Sequence, residues 1–203
     1  MPFKPKDREY RALVLPFSVA GEEKRIDTEH YVEGMATTFD KPYVLWEWDG
    51  IKYHEVIDRH ALDEADMSDV IFQYDHQGKV LARQSNKTLG LEPNDEGLFI
   101  YADLSKSQAA KDMHEEIRNG LVTKMSWAFT VSEDSYNKDT RTRTILKIKK
   151  VYDVSAVSIP ANSSTDISAR SYAEGISEAE KQELLERRKR VLKILLNMEV
   201  PNE

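Results

Sequence analysis

The stretch Lys124-Met125-Ser126-Trp127-Ala128-Phe129 decides how this chain is read, because it sets a small hydroxyl inside an otherwise apolar strand pattern. Alternation puts Met125, Trp127, Phe129 and Val131 on one face and Ser126, Ala128 and Thr130 on the other. The Ser126 face is expected to be small and open. Such a strand either presents a nucleophile or is an edge strand with one solvated face, and the pattern by itself serves both readings.

Working outward, Ser105-Lys106-Ser107-Gln108 has the capping-box form and opens a helix, with Ala109, Ala110, Met113 and Ile117 at helical spacing and Gly120 as its stop. Residues 88–92 and 97–102 flank Pro93-Asn94-Asp95-Glu96, which predicts an antiparallel hairpin. Residues 70–76 read as a strand in which Val70, Phe72, Tyr74 and His76 share a face, so His76 closes an apolar row. The Asp49-Gly50 turn leads into a strand over 51–57, and Asp58 is placed to cap a short helix reaching Ala65. Residues 31–39 alternate and are expected to form the first strand of the main sheet, after a short strand over 11–15 that ends at Pro16. Downstream, residues 135–142 are polar and turn-rich, an expected mobile loop. A long strand pattern then runs over 144–159, with Asp153 in phase with Val151, Val157 and Ile159, until Pro160 stops it.

Beyond a small, polar boundary at 161–171, a second capping box at Ser177-Glu178-Ala179-Glu180 starts a helix carrying Leu184, Leu185, Val191, Leu192, Leu195 and Met198. That apolar stripe needs a partner: a docking protein, a second copy, or the chain's own body. Its basic run Arg187-Arg188-Lys189-Arg190 shares the helix with Glu180, Glu183 and Glu186, and reads as a solvated face. The organisation is therefore an N-terminal extension (1–30), a main domain (31–170) and a C-terminal helical segment (171–203) that docks, dimerises or packs back.

Composition narrows the chemistry. With 203 residues the chain can bury a sizeable core, and 40% hydrophobic with 32% charged residues is a soluble globular balance. The absence of cysteine excludes thiol nucleophiles, disulfides and thiolate metal sites. A net charge of -7 argues against a nucleic-acid partner, since neutralising phosphates needs clustered Lys and Arg. No apolar run is long enough to span a bilayer and Met1-Pro2-Phe3-Lys4-Pro5-Lys6 is unlike a signal peptide, which predicts a cytosolic protein with no membrane partner.

Histidines at 30, 54, 60, 76 and 114 show no close ligand spacing, and His54-Glu55 lacks a second histidine one turn on, so no metal or other cofactor is expected. No glycine loop for phosphate occurs, and the lack of a Gly-x-Ser-x-Gly elbow disfavours a small-ester hydrolase. Three positions are suggestive together: His76, Ser126 and Asp153. Each has a plainer reading, as a turn residue after Asp75, a small packing residue and a buried acceptor, and spacing leaves both sets open because a triad is defined by geometry and not by chain order.

Ordered blocks accompany those positions: Val32-Glu33-Gly34-Met35-Ala36 to Phe39; Glu55-Val56-Ile57 with Ala61-Leu62; Tyr74-Asp75-His76 with Leu81-Ala82-Arg83; Thr88-Leu89-Gly90-Leu91 to Gly97-Leu98; Gly120 with Lys124 to Phe129; and Asp153-Val154-Ser155-Ala156-Val157-Ser158-Ile159-Pro160-Ala161. In this order and spacing, over residues 32–170, the chain resembles the prohead (capsid maturation) serine proteases of tailed phages, and through them the herpesvirus assemblins. The resemblance implies an α+β fold, a mainly antiparallel β-barrel flanked by helices with a C-terminal amphipathic helix, and makes 31–170 the protease domain. It implies Ser126 as nucleophile, His76 as base and Asp153 as the third member. Trp127 and Ala128 stand where the family usually has Phe and Gly, which implies a differently shaped wall beside the nucleophile, and Asp153 stands in place of a Glu one methylene longer.

The implied substrates are capsid-assembly proteins: the scaffolding segment of the major capsid protein or a separate scaffold, and the protease itself, inside the procapsid in the host cytoplasm. The terminal helix could support a homodimer. Oxyanion donors are expected among backbone N–H groups, with help near Arg83. The rival reading is a non-enzymatic capsid or scaffold component that retains the barrel.

Overall fold

A computed structural model describes residues 8–16, 18–19, 24–48, 50–158, 175, 178–179, 182–183 and 185–193. Pro160, Ala161 and the capping residue Ser177 lie outside them, as do Leu184, Leu195 and Met198 of the expected apolar stripe. Among the described residues ten strands carry the fold: β1 (Glu9–Pro16), β2 (Tyr31–Thr38), β3 (Tyr43–Trp48), β4 (Ile51–Ile57), β5 (Ile71–Tyr74), β6 (Gln77–Arg83), β7 (Leu89–Pro93), β8 (Gly97–Asp103), β9 (Lys124–Asn137) and β10 (Thr142–Val157). One helix, α1 (Gln108–Arg118), precedes β9. Residues 185–193 are also helical, with Leu185, Val191 and Leu192 exposed, and Glu183 ion-pairs with Lys138.

The strands form two sheets. The larger runs β1-β9-β10-β4-β3, with β5 and β6 attached to β10; the smaller is β2-β8-β7. β2 therefore belongs to the smaller sheet, a correction to its expected place in the main one. Pairing does not close either sheet into a ring among the described residues. Both sheets nevertheless bury one continuous core, in which Val32, Leu98 and Ile100 meet Ile57, Phe72, Met125, Trp127 and Phe129. Each such side chain contributes about 1.5–3 kcal/mol by leaving water.

β10 organises the larger sheet because its 16 residues are shared among neighbours. One edge pairs antiparallel with β9, while the other pairs in parallel first with β4 (Thr142–Ile145) and then with β5 (Asp153–Ala156). The gap between β4 and β5 is filled by residues 58–66. Asp58 N–H donates to Ile145 O, Ile148 N–H to Ala61 O, and Asp66 N–H to Lys149 O. Those obligations explain why the helix expected after Asp58 is absent: the segment is a run of turns whose backbone groups serve β10, and Asp58 Oδ1 accepts from His60 N–H instead of capping a helix. Residues 135–142 are a loop only in their middle: β9 runs to Asn137 and β10 starts at Thr142, so 138–141 are the turn of a hairpin and the polar residues on either side belong to its strands.

The helix before β9 forms as its pattern implies, with one shift. Its N-cap is Ser107, whose side chain accepts from Ala110 N–H, and not Ser105. It ends on Gly120 at φ +73, where Gly120 N–H reaches Ile117 O and Leu121 N–H reaches Glu116 O, a Schellman stop that turns the chain into β9.

Candidate active site

Ser126, His76 and Asp153 arrive from three elements that lie side by side. Register sets Ser126 opposite Ser155 and Ala128 opposite Asp153, so the carboxylate and the hydroxyl share one face of β9 and β10. On the other edge of β10, Asp153 pairs with Ile71 and Ala156 with Tyr74, which brings the end of β5 to the same place. His76 is not the last residue of that strand. β5 stops at Tyr74, and Asp75 (φ 44) and His76 (φ 57) form the two central positions of a type I′ turn closed by the Tyr74–Gln77 pair. The turn residue expected as the plainer reading of His76 is thus what the backbone shows, and the turn aims the ring across the sheet. Asp75 fixes it to β10: its N–H donates to Ala156 O, while its carboxylate accepts from Ser158 N–H and Ser158 Oγ.

The side chains form a hydrogen-bonded line. Ser126 Oγ lies 2.6 Å from His76 Nε2, and His76 Nδ1 lies 2.5 Å from Asp153 Oδ1. A carboxylate only accepts, so Nδ1 carries the ring proton and the bare Nε2 faces the serine. Asp153, one methylene shorter than the residue usual in the resembled family, therefore reaches the ring. Ser126 Oγ is also 3.0 Å from the Arg11 carbonyl, so its single proton has two acceptors. Ser155 Oγ donates to Asp153 Oδ1 at 2.8 Å. The other carboxylate oxygen, Oδ2, finds no hydrogen-bond partner among the described residues.

The Ser126 face is small, but it is not open. Ser126 and Asp153 are each 1% exposed, and His76, at 15%, is the one member of the line that meets solvent. Tyr10 on β1 packs edge-on against the imidazole, centroids 4.7 Å apart and planes at 66°. Trp127 does not stand beside the nucleophile: it points into the core, stacked on Phe129 at 4.2 Å, and the change the site feels is the methyl of Ala128, opposite Asp153 and Tyr10. Arg83 pairs with Ile71 at the far end of the β5–β6 hairpin from His76 and donates to Asp69 at 3.1 Å.

Behind β9 lies a second polar cluster. Arg11 donates to Glu55 at 2.5 and 3.0 Å and to Glu9 at 2.5 Å; Arg143 donates to Glu9 at 2.7 and 3.0 Å, to Glu55 at 3.0 Å and to Asp134 at 2.6 Å. Tyr43 O–H completes it on Glu55. Burial alone would push the Glu55 carboxyl up, but the charge and hydrogen bonds of Arg11, then Arg143 and Tyr43, outweigh it and hold the group at about 2. Arg11 and Arg143 are held well above their ordinary value by the same carboxylates against the opposing effect of burial. The cluster pins β1 to the sheet, and β1 supplies Tyr10 and the Arg11 carbonyl to the site.

Tyr10, Arg11 and Ser155 carry no role in the sequence reading. Ser155 was within reach of it, since it is two residues from Asp153 and hence on the same strand face. Nothing local marks Tyr10 or Arg11, whose roles depend on β1 pairing with a strand more than a hundred residues away. Among the described residues no three His, Asp or Glu side chains gather as a metal site, and no helix is long and apolar enough to cross a membrane.

A buried hydroxyl, an imidazole and a carboxylate in one line can perform acyl transfer, the hydroxyl oxygen attacking a carbonyl as the ring takes its proton. The comparison with protein families agrees with that chemistry. The family model for the caudovirus prohead serine protease matches residues 18–181, most of the chain. The chain belongs to this family of serine proteases of capsid maturation in tailed bacteriophages. No curated protein and no solved structure matches it.

Proposed function

We propose that the chain is the endopeptidase of phage prohead maturation, with Ser126 as nucleophile, His76 as general base and acid, and Asp153 as the orienting carboxylate. The observation that carries this reading is the line Ser126 Oγ–His76 Nε2 at 2.6 Å and His76 Nδ1–Asp153 Oδ1 at 2.5 Å, on a chain of a serine protease family. Ser126 Oγ attacks the scissile carbonyl while Nε2 takes its proton. The imidazolium, steadied by Asp153, returns that proton to the leaving amine, and water then releases the acyl group by the same route. The substrates are capsid-assembly proteins, namely the scaffolding segment of the major capsid protein or a separate scaffold, and the protease itself, within the assembling procapsid in the host cytoplasm. The two sheets over one core serve as this chain's form of the assemblin-like barrel.

The test is intact mass. Wild type and Ser126→Ala are incubated alone and with the capsid or scaffold protein of the same phage. Fragments that require Ser126 support the reading; identical fragments from both proteins sink the site, and none from either favours a non-enzymatic capsid component.

A further inference from the structure

Ser155 is fully buried, sits directly across from Ser126 in register, and shares a strand face with Asp153 two residues away. Its Oγ is 2.8 Å from Asp153 Oδ1 and 3.2 Å from His76 Nδ1, and these two atoms are 2.5 Å apart. The three atoms make a closed triangle. A hydroxyl has one proton and two lone pairs, so donation to Oδ1 turns a lone pair toward the Nδ1 proton, which is then shared between carboxylate and hydroxyl. The carboxylate's second oxygen has no hydrogen-bond partner among the described residues, so no hydrogen bond on that side holds the group's rotation.

We infer that Ser155 is a positioning residue that locks the Asp153 carboxylate onto His76 Nδ1 and so keeps Nε2 bare and aimed at Ser126. The inference rests on the triad reading above. Two hydrogen bonds meet on Oδ1, one from the ring and one from Ser155, and together they set both the distance and the plane of the acid. Without the hydroxyl the carboxylate can turn its unpartnered oxygen toward the ring, and the imidazole loses its fixed orientation. The effect reaches the reaction only through Asp153.

A fluorophosphonate probe that phosphonylates the nucleophilic serine, fluoride leaving as His76 takes the hydroxyl proton, separates this from a packing role. In Ser155→Ala the limiting labelling rate should fall about ten- to a hundredfold, the worth of a hydrogen bond to a charged group, with probe affinity within about twofold. In an Asp153→Ala background the same change should cost less than about threefold, because the group it acts through is gone. The downfield proton resonance of His76 Nδ1–H, read without any substrate, should move upfield in Ser155→Ala. Ser155→Cys, which keeps the shape with a weaker donor, should show the same shifts and stands in if the alanine variant melts early. Labelling at the wild-type rate, an equal loss in the Asp153→Ala background, or an unmoved resonance would overturn the inference. Labelling of Ser126→Ala at the wild-type rate would instead reject the triad reading, so the two failures are distinct.

Discussion

Strand β9 has two buried faces with opposite chemistry. On one, Ser126 and Ala128 meet His76, Asp153, Ser155 and Tyr10; on the other, Trp127 and Phe129 lie beside the Glu9–Arg11–Glu55–Arg143 cluster. The cluster is saturated, with each guanidinium and carboxylate making several bonds. The site face is lean: the serine proton has two acceptors, and Asp153 Oδ2 has no donor among the described residues. The difference teaches a division of labour. Saturated charge holds β1 against the sheet, and on the proposed mechanism the few polar groups opposite are left to pass a proton.

Changes on the site face should therefore cost activity and spare the fold, and changes on the other face should do the reverse. Ser126→Ala carries the largest effect, a loss of cleavage on the order of 10⁶-fold with the melting temperature almost unchanged, read by activity and calorimetry together. Asp153→Asn comes next, about 10⁴-fold in kcat, since an amide favours the wrong tautomer of His76. A fully active Asp153→Asn enzyme would demote the residue to a structural acid. Across the strand, Arg143→Met leaves Glu9 and Glu55 to share Arg11 alone, with one buried negative charge uncompensated, and should cost about 3–5 kcal/mol in denaturant unfolding, while its folded fraction still cleaves. If that variant stays folded yet is as inactive as Ser126→Ala, the two faces act as one unit and the comparison breaks.

Acid gives the smallest and most graded contrast. Glu55 is held at about 2 against an ordinary 4.5, so between these values the unfolded chain binds more protons; the stability it supplies is complete above pH 4.5 and is lost as pH falls toward 2. His114, lowered below 6.5 by its burial and then by the neighbouring His30, acts earlier, because unfolding lets it take up a proton as pH drops beneath 6.5. Unfolding free energy measured against pH should decline in two stages. His114→Gln should flatten the upper stage and Glu55→Gln should reduce the lower, which Asp103 and Asp66, also held low by their hydrogen bonds, share; an unchanged curve in either variant removes that residue from the account.

Much of the β content was legible because alternation is local. The hairpin at 88–102 and the helix over Gln108–Arg118 follow from patterns a few residues long. The misreadings share one cause, which is that distant partners decide what a local signal becomes. Asp58 resembles a helix cap, yet the backbone after it is claimed by β10; residues 135–142 look like one loop, yet only 138–141 turn and the rest lengthen a hairpin whose faces are wet. His76 ends a strand by parity alone, whereas in the fold its side chain is delivered by a turn in which it is the second central residue, at φ 57.

The sequence by itself determined which residues could do the chemistry: a lone hydroxyl in an apolar strand, a histidine and an acid in phase with valines, and ordered blocks that carry a family likeness. Residue type and alternation are local properties, so they survive without coordinates. Only the tertiary structure decided that these groups meet, that Ser155 joins them, and that β1 brings Tyr10 and a carbonyl from the other end of the chain. Those facts depend on the register of β1, β5, β9 and β10, which is set by pairing between segments far apart in sequence and by a buried charge cluster that no single segment contains.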